Sequence, residues 1–444
     1  MSPALALRAK GTFRHGVHPE EFKERTAAMA IERMPFVDEY VLPLSQHTGA
    51  PSKPVVVEGD RVLRGQRIAD ADGFISTALH APVTGRVKAI ELRPHPSGKR
   101  MRSVVIEADP FSDQRLTPDL PRPDEAMSGA EIAQCVQQAG LVGLGGAAFP
   151  SHVKLQVPGG RTARFVILNG CECEPYLTCD HRVMVERAEP VLHGMRIIMQ
   201  CLGVDRGYVG VELNKPDAIE ALRRAAGDDP RIRVEGLKVK YPQGAEKMLI
   251  DAIFRKEVPS GKLPLDIEMV VNNVGTAAAL SDLFRTGQPL IERAVTVTGP
   301  GVRRPANLMV PIGTPLAAVL DYCGGLHADT RQVILGGPMM GQAQKALDVP
   351  VLKGVSGVLA FTEPFPVRQE DPCIRCGRCV EACPMLLNPA RLAQLARYER
   401  VDDLGPQHLM DCFECASCSF VCPSNIPLVQ YMRLGKAMMR QRRV

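Results

Sequence analysis

Eight of the 14 cysteines fall between Cys373 and Cys422, near the end of a 444-residue chain. They form two runs, Cys373, Cys376, Cys379, Cys383-Pro384 and Cys412, Cys415, Cys418, Cys422-Pro423. Each run reads C-x2-C-x2-C-x3-C-P, the spacing that holds a [4Fe–4S] cluster. Three thiolates two residues apart on a tight turn can wrap one cubane. The fourth cysteine points away, and its proline ends the turn. In two-cluster proteins that fourth cysteine serves the other cluster. The expected ligand sets are therefore Cys373, Cys376, Cys379 and Cys422 for one cluster, and Cys412, Cys415, Cys418 and Cys383 for the second. Structural zinc is the competing chemistry, but it takes four ligands, usually as two C-x2-C pairs. A third cysteine at the same spacing, twice over, favours iron–sulfur and one-electron relay.

Two other segments could do chemistry. The stretch Gly140 to Pro150 carries Gly143, Gly145 and Gly146, and Lys154 follows. Backbone N–H groups of such a loop can approach a phosphate or a flat ring. Its G-x-G-x-x-A match follows an expected helix, not a strand, which argues against a Rossmann turn. A tight interdomain turn is the alternative. The second segment is Asn169, Cys171, Glu172, Cys173 and Glu174, placed after an expected strand. Polar side chains at the carboxyl end of a sheet strand are where α/β proteins place ligands. Cys171, Cys173 and Cys179 are irregularly spaced, so free thiols beside a cofactor are expected rather than a metal site. Asn272 and Asn273 end another expected strand. Cys135, Cys201 and Cys323 lie in apolar helical patterns and are expected in the core.

These residues need a frame. From about Phe36 to Asp109 the chain reads as all-β, with turn signals such as Glu58-Gly59-Asp60. The phrases around Gly59, Gly65 and Gly85 resemble a lipoyl/biotinyl-type sandwich. The turn near Asp72-Gly73-Phe74 has no lysine, so a structural role is expected, not a swinging arm. Ser128 and Glu131 form a capping box opening a helix. Strands at 165–168, 207–213, 233–240 and 269–271 then alternate with helices at 180–199, 216–226, 245–254 and 276–284, with a break at Pro190. That alternation implies an α/β domain. A smaller unit follows, with strands at 294–298 and 333–335 and a helix at 315–322. A linker at 364–372 leads into the cysteine runs, which are framed by helices at 389–398 and 429–443.

Hydrophobic residues make up 45% and charged residues 23% of the chain, which excludes disorder as its class. No stretch approaches the roughly 18 apolar residues of a membrane helix. No signal peptide is visible, because Arg8 and Lys10 interrupt the apolar start, so the thiols are expected in a reducing cytosol. The net charge of +5 is too weak to argue for nucleic acid. The basic tail from Arg433 to Arg443 could face an anionic membrane or acidic partners. A solvated helix face is the plain alternative.

The glycine loop, acidic loop and paired asparagines resemble the NADH-binding flavoprotein subunit of respiratory complex I. The phrases GLVGLGGAAFP, NGCECEPY, YPQGAEK and GGPMMG, and the order of units, resemble the RnfC component of the Rnf ion-translocating electron transport complex. The resemblance implies a multidomain α/β plus β chain. Its units would be a lipoyl/barrel-sandwich-like domain at 1–115, an FMN/NADH-binding α/β domain at 126–290, a small β-grasp domain at 291–345 and a helical two-cluster ferredoxin domain at 364–444.

It also implies non-covalent FMN and NAD(H) as substrate. Gly143, Gly145 and Lys154 would approach the FMN phosphate or ring. Asn169, Glu172, Asn272, Asn273 and Thr276 would hydrogen-bond the flavin. Phe149 would stack on the nicotinamide side, and Gly244 and Glu246 would line the dinucleotide pocket. Gly146 and Glu174 complete the implied cofactor-binding set. Ala148 stands where the family usually has glycine.

NADH gives two electrons at once and a cubane takes one, so a flavin belongs between them. No side chain need act as acid or base in hydride transfer itself. The implied partners are the other subunits of the complex, including a ferredoxin-like iron–sulfur subunit, at the cytoplasmic face of a bacterial inner membrane. A soluble flavin/iron–sulfur reductase of the cobalamin-reductase kind, and a non-enzymatic relay adapter with a vestigial flavin pocket, are the other readings.

Overall fold

The computed structural model describes residues 11–118, 123, 126–363 and 369–442 of the chain. Arg8 and Lys10, most of the expected linker at 364–372, and Arg443 lie outside the described residues.

The first unit pairs two sheets. Glu39–Pro43, Arg100–Ala108, Gly85–Pro94 and Arg61–Val62 form a four-stranded sheet. Lys53–Pro54, Arg67–Asp70 and Leu79–His80 form a three-stranded one. Tyr40, Leu42, Val62, Ile68, Leu79, Val104 and Ile106 fill the core as the inward half of each alternating strand. The turn at Asp72-Gly73-Phe74 is pinned to the next unit. His152 Nε2 lies 2.8 Å from the Phe74 carbonyl, and Gln137 Nε2 donates to the Gly73 carbonyl at 3.2 Å. A tip held in this way cannot swing, which agrees with its lack of a lysine.

Residues 11–34, within the expected range of the first unit, add no strand to its two sheets. Val17 bridges to Tyr241, and Ile31–Arg33 pairs in parallel with Ala306–Pro311. The buried Lys23 donates to the carbonyls of Glu172 and Glu174 at 2.9 Å, and to that of Leu177. A buried ammonium needs such acceptors, so this leading segment is tied to the units that follow.

The second unit is a parallel sheet in the order Ile232–Leu237, Gly207–Glu212, Phe165–Gly170, Met269–Asn273. The central strands Gly207–Glu212 and Phe165–Gly170 are almost wholly buried, as a sheet covered by helices requires. Helix Gly129–Gln138 opens on the Ser128–Glu131 capping box. The expected helix at 180–199 is two helices, Cys179–Glu186 and Ala188–Leu202, broken at Arg187 rather than at Pro190. Pro190 sits in the first turn of the second helix, where its missing N–H costs no hydrogen bond. The parallel register sets Asn273 beside Asn169 on neighbouring strands. This brings the acidic loop and the paired asparagines to one edge of the sheet.

The third unit is a six-stranded sheet in the order Ile31–Arg33, Ala306–Pro311, Glu292–Thr298, Gly357–Phe361, Gln332–Leu335, Gln342–Ala343. Ala306–Pro311 and Gly357–Phe361 were not anticipated, and the second carries the sheet past residue 345. Gly357–Phe361 is buried along its whole length, so it shows no alternation to read.

The last unit is helical. Pro389–Arg397 packs on Leu428–Gln441 through Leu392, Leu395, Ala396, Leu428 and Met432. No helix among the described residues is long and apolar enough to cross a membrane.

Candidate functional site

The two cysteine runs fold as near copies. The second and fourth positions after each first cysteine, Arg375 and Gly377 or Glu414 and Ala416, all have φ between +57° and +79°. Each then enters a single helical turn, Arg378–Ala382 or Ser417–Phe420. Left-handed residues curl a chain into a concave loop whose N–H groups point inward. One pocket is lined by Cys373, Cys376, Cys379 and Cys422, and has a volume of about 380 Å³. The other is lined by Cys383, Cys412, Cys415 and Cys418. Each fourth cysteine thus crosses to the other run's pocket. Among the described residues no three His, Cys, Asp or Glu side chains converge as a single metal ion would need. Four thiols spread around a pocket fit the corners of a cubane better than the 2.3 Å bonds of one zinc.

A third cavity, of about 310 Å³, lies at the carboxyl edge of the parallel sheet. It brings together Gly143, Gly145, Phe149, Lys154, Asn169, Glu172, Glu174, Gly244, Glu246, Asn272 and Asn273. Gly146 and Thr276 do not line it. Thr276 is buried beneath the glycine loop, where its hydroxyl accepts from Leu144 N at 2.9 Å and donates to the Val142 carbonyl at 3.3 Å. It holds the loop on helix Val274–Thr286 rather than facing a ligand. Gly146 is open, with nothing within 4 Å of where a Cβ would stand. Ala148 has φ +47°, a left-handed value that explains why glycine suits this position.

Most of the polar groups around the cavity are engaged by the protein. Glu172 accepts from Asp180 N at 2.7 Å and His181 N at 3.1 Å, capping helix Cys179–Glu186. Asn273 Oδ1 accepts from Gly275 N at 2.7 Å, and its Nδ2 donates to Asp180 Oδ2 at 2.6 Å. Asn169 bridges the Gly244 carbonyl at 2.7 Å and Cys171 N at 3.1 Å. Lys154 pairs with Glu246 and donates to the Val271 carbonyl at 2.9 Å. The expected phosphate cation is therefore already partnered inside the cavity.

Burial shapes the charges here. It pushes the Glu174 carboxyl up to about 7, although Met339 N and Met340 N each donate to it at 3.0 Å. The thiols of Cys171, Cys173 and Cys179 are all pushed up by burial, so they stay neutral. Cys173 and Cys179 line the cavity, whereas Cys171 lies behind it against the Gly210 carbonyl. Of the other thiols, Cys323 is buried and Cys135 and Cys201 are half-buried.

Two cavity groups have no hydrogen-bond partner, the buried Asn272 Nδ2 and Ser151 Oγ. An orphaned buried donor costs about 1–3 kcal/mol, so both fit a polar ligand seated in the cavity. With glycine amides on one wall and Phe149 on another, the lining suits a flat ring bearing a phosphate chain. Sequence reasoning missed Ser151, Asp180, Tyr241 and Phe413. Asp180 follows Cys179, Tyr241 opens the YPQGAEK phrase and Phe413 lies inside the second cysteine run, but only packing shows that they reach the cavity.

The comparisons with known proteins give the same order of units. Residues 11–110 match the RnfC barrel sandwich hybrid domain, and residues 136–282 the Nuo51 FMN-binding domain. Residues 294–343 match the SLBB domain, and residues 369–426 the 4Fe-4S dicluster domain. The C component of the Na(+)-translocating ferredoxin:NAD(+) oxidoreductase complex of Acetobacterium woodii is 46% identical over 96% of each chain. The chain belongs to the RnfC family of ion-translocating oxidoreductase components. Its relatives in that family include the proton-translocating counterpart of Clostridium ljungdahlii, 44% identical over 96% of this chain and 93% of the other. The C component of the ion-translocating oxidoreductase complex of Rhodobacter capsulatus is 44% identical over 97% of this chain and 84% of its own length. Membership in the RnfC family assigns FMN to the cavity unit and paired [4Fe–4S] clusters to the helical unit.

Proposed function

We propose that this RnfC-family protein exchanges electrons between NAD(H) and the partner subunits of a membrane-bound ion-translocating complex, through FMN and two [4Fe–4S] clusters. One observation carries the reading: Phe413 lines both the flavin cavity and the pocket of Cys383, Cys412, Cys415 and Cys418. A two-electron site and a one-electron site thus share a wall. Bound FMN supplies the chemistry of taking a hydride's electron pair and passing electrons on singly.

The chain's own residues bind and orient. Gly143, Gly145 and Phe149 would frame the ring, and the unpartnered Asn272 Nδ2 and Ser151 Oγ would be available to donate to it. Asn169, Glu172 and Asn273 hold the walls in register. Gly244 and the Lys154–Glu246 pair border the dinucleotide side. Cys373, Cys376, Cys379 and Cys422 hold the outer cluster, and Cys412, Cys415, Cys418 and Cys383 the inner one. Cys373 and Cys376 are exposed, whereas Cys383 and Cys415 are buried. The two cysteine sets would thus hold the clusters between the cavity and a ferredoxin-like iron–sulfur partner, the buried set nearer the cavity. We read the first unit as lipoyl-like and the third as a β-grasp. The protein would sit peripherally on the cytoplasmic face of the membrane.

Purified, reconstituted protein tests this reading. It should hold one FMN and about eight irons, and NADH should bleach the flavin before the clusters. Lack of flavin binding would leave only a relay adapter. Recovery with membranes only when neighbouring subunits are co-expressed separates a component of the complex from a soluble reductase.

A further inference from the structure

Electrons and protons part company in this protein. A hydride brings the flavin two electrons and one hydrogen nucleus. When both electrons leave singly through the clusters, one proton must also leave the cavity. When NAD+ is reduced, one proton must enter. The iron–sulfur route carries only electrons, so the proton needs its own path.

A second, smaller cavity of about 40 Å³ lies against the first, with room for about two or three waters. It is lined by Arg187, Asp282, Gln288, Glu292 and Arg293 among others, and Arg187 and Asp282 form a partly exposed ion pair on its wall. These two side chains are 26% and 25% exposed. Asp180 and Leu144 line both cavities, and of the two only Asp180 can carry a proton. Asp180 sits in the first turn of helix Cys179–Glu186, and Asn273 Nδ2 fixes its Oδ2 at 2.6 Å.

We propose that Asp180 is the proton relay between the flavin cavity and solvent, working through this second cavity. The inference rests on the FMN reading above. The neighbouring acids are committed elsewhere. Both oxygens of Glu172 cap helix Cys179–Glu186, and both oxygens of Glu174 are held by Met339 and Met340. Neither lines the second cavity.

The groups facing Asp180 keep it able to hold a proton. Burial, then the charge of Glu172, raise its carboxyl well above the usual range. Asn273, and Arg293 and Lys215 more distantly, oppose the shift without cancelling it. Arg187, Asp282 and Glu292 face it across the second cavity. The sign follows: the carboxyl is protonated at lower pH and gives the proton up as pH rises through its raised value.

The test uses flavin-loaded, cluster-loaded protein carrying Asp180→Asn, with Asp180→Glu and Glu174→Gln alongside. Flavin content is measured first, because its loss in the wild type would sink the FMN reading itself. With flavin bound, an indicator dye follows proton release after NADH reduction and reoxidation by ferricyanide. Asp180→Asn should slow proton release about tenfold more than it slows flavin reduction, and should flatten the pH profile of release. Asp180→Glu should restore the profile. A protonated-carboxyl band in reduced-minus-oxidised infrared spectra should vanish in Asp180→Asn and persist in Glu174→Gln. Unchanged release and an unchanged band in Asp180→Asn, or loss of both only in Glu174→Gln, would overturn the assignment.

Discussion

The Tyr241 hydroxyl donates to the backbone carbonyl of Cys415 at 2.9 Å. Tyr241 lines the flavin cavity, and Cys415 belongs to the inner cluster run. One hydrogen bond thus ties the wall of the flavin cavity to the inner cluster run, across more than 170 residues of sequence. The aromatic body of Tyr241 packs with Val17, Ala382 and Phe413, so the junction is apolar around that bond.

Crossed ligation predicts paired losses. Cys383→Ser and Cys418→Ser should remove the same cluster signal in electron paramagnetic resonance. Cys376→Ser and Cys422→Ser should remove the other. Each variant should hold about four irons in place of about eight. If Cys383→Ser instead affected the cluster of Cys373 and Cys376, the crossing would be wrong.

Asn272 and Ser151 predict an affinity loss without a fold loss. Their orphaned atoms stabilise nothing in the apo-protein, so Asn272→Ala and Ser151→Ala should leave its melting temperature unchanged or raise it. FMN binding, followed by fluorescence quenching, should weaken by about 1–2 kcal/mol for each. Equal losses of apo stability and FMN affinity would assign both residues to structure.

Glu174 predicts a pH dependence of stability. Its folded carboxyl is raised to about 7 by burial, above the value of 4.5 in the unfolded chain. The stability it contributes is therefore full below about 4.5 and fades as pH rises towards 7. In Glu174→Gln, denaturant midpoints should fall less between pH 5 and pH 8 than in the wild type. A parallel fall in both proteins would remove Glu174 as the cause.

Gly194 predicts a packing cost. A Cβ there would stand 1.8 Å from the Ala277 carbonyl, where helix Ala188–Leu202 crosses helix Val274–Thr286. Gly194→Ala should cost about 1–3 kcal/mol. It should also weaken FMN binding, because the second helix follows directly on Asn272 and Asn273. Calorimetry and flavin titration of the same sample check both effects.

The cysteine runs declared their chemistry in sequence, because cluster ligation depends on local spacing that a short turn can satisfy by itself. The strand and helix alternation from 165 to 286 was equally legible, since each element carries its own period. The fully buried strand Gly357–Phe361 was not, for burial on both faces erases that period. The strand Ile31–Arg33 was not legible either, because its pairing with Ala306–Pro311 spans some 270 residues.

In the site, the sequence by itself determined the spacing of the cysteine runs and marked the glycine loop, acidic loop and paired asparagines. Tertiary structure alone decided how they are used. It turned Thr276 inward to hold a loop, partnered Lys154 with Glu246, and left Asn272 and Ser151 without partners. It also set Phe413 between the flavin cavity and the inner cluster pocket, and Asp180 between the flavin cavity and the smaller one. The reason is physical: a side chain's type is written locally, but its desolvation and its hydrogen-bond partners depend on whatever distant chain packs against it.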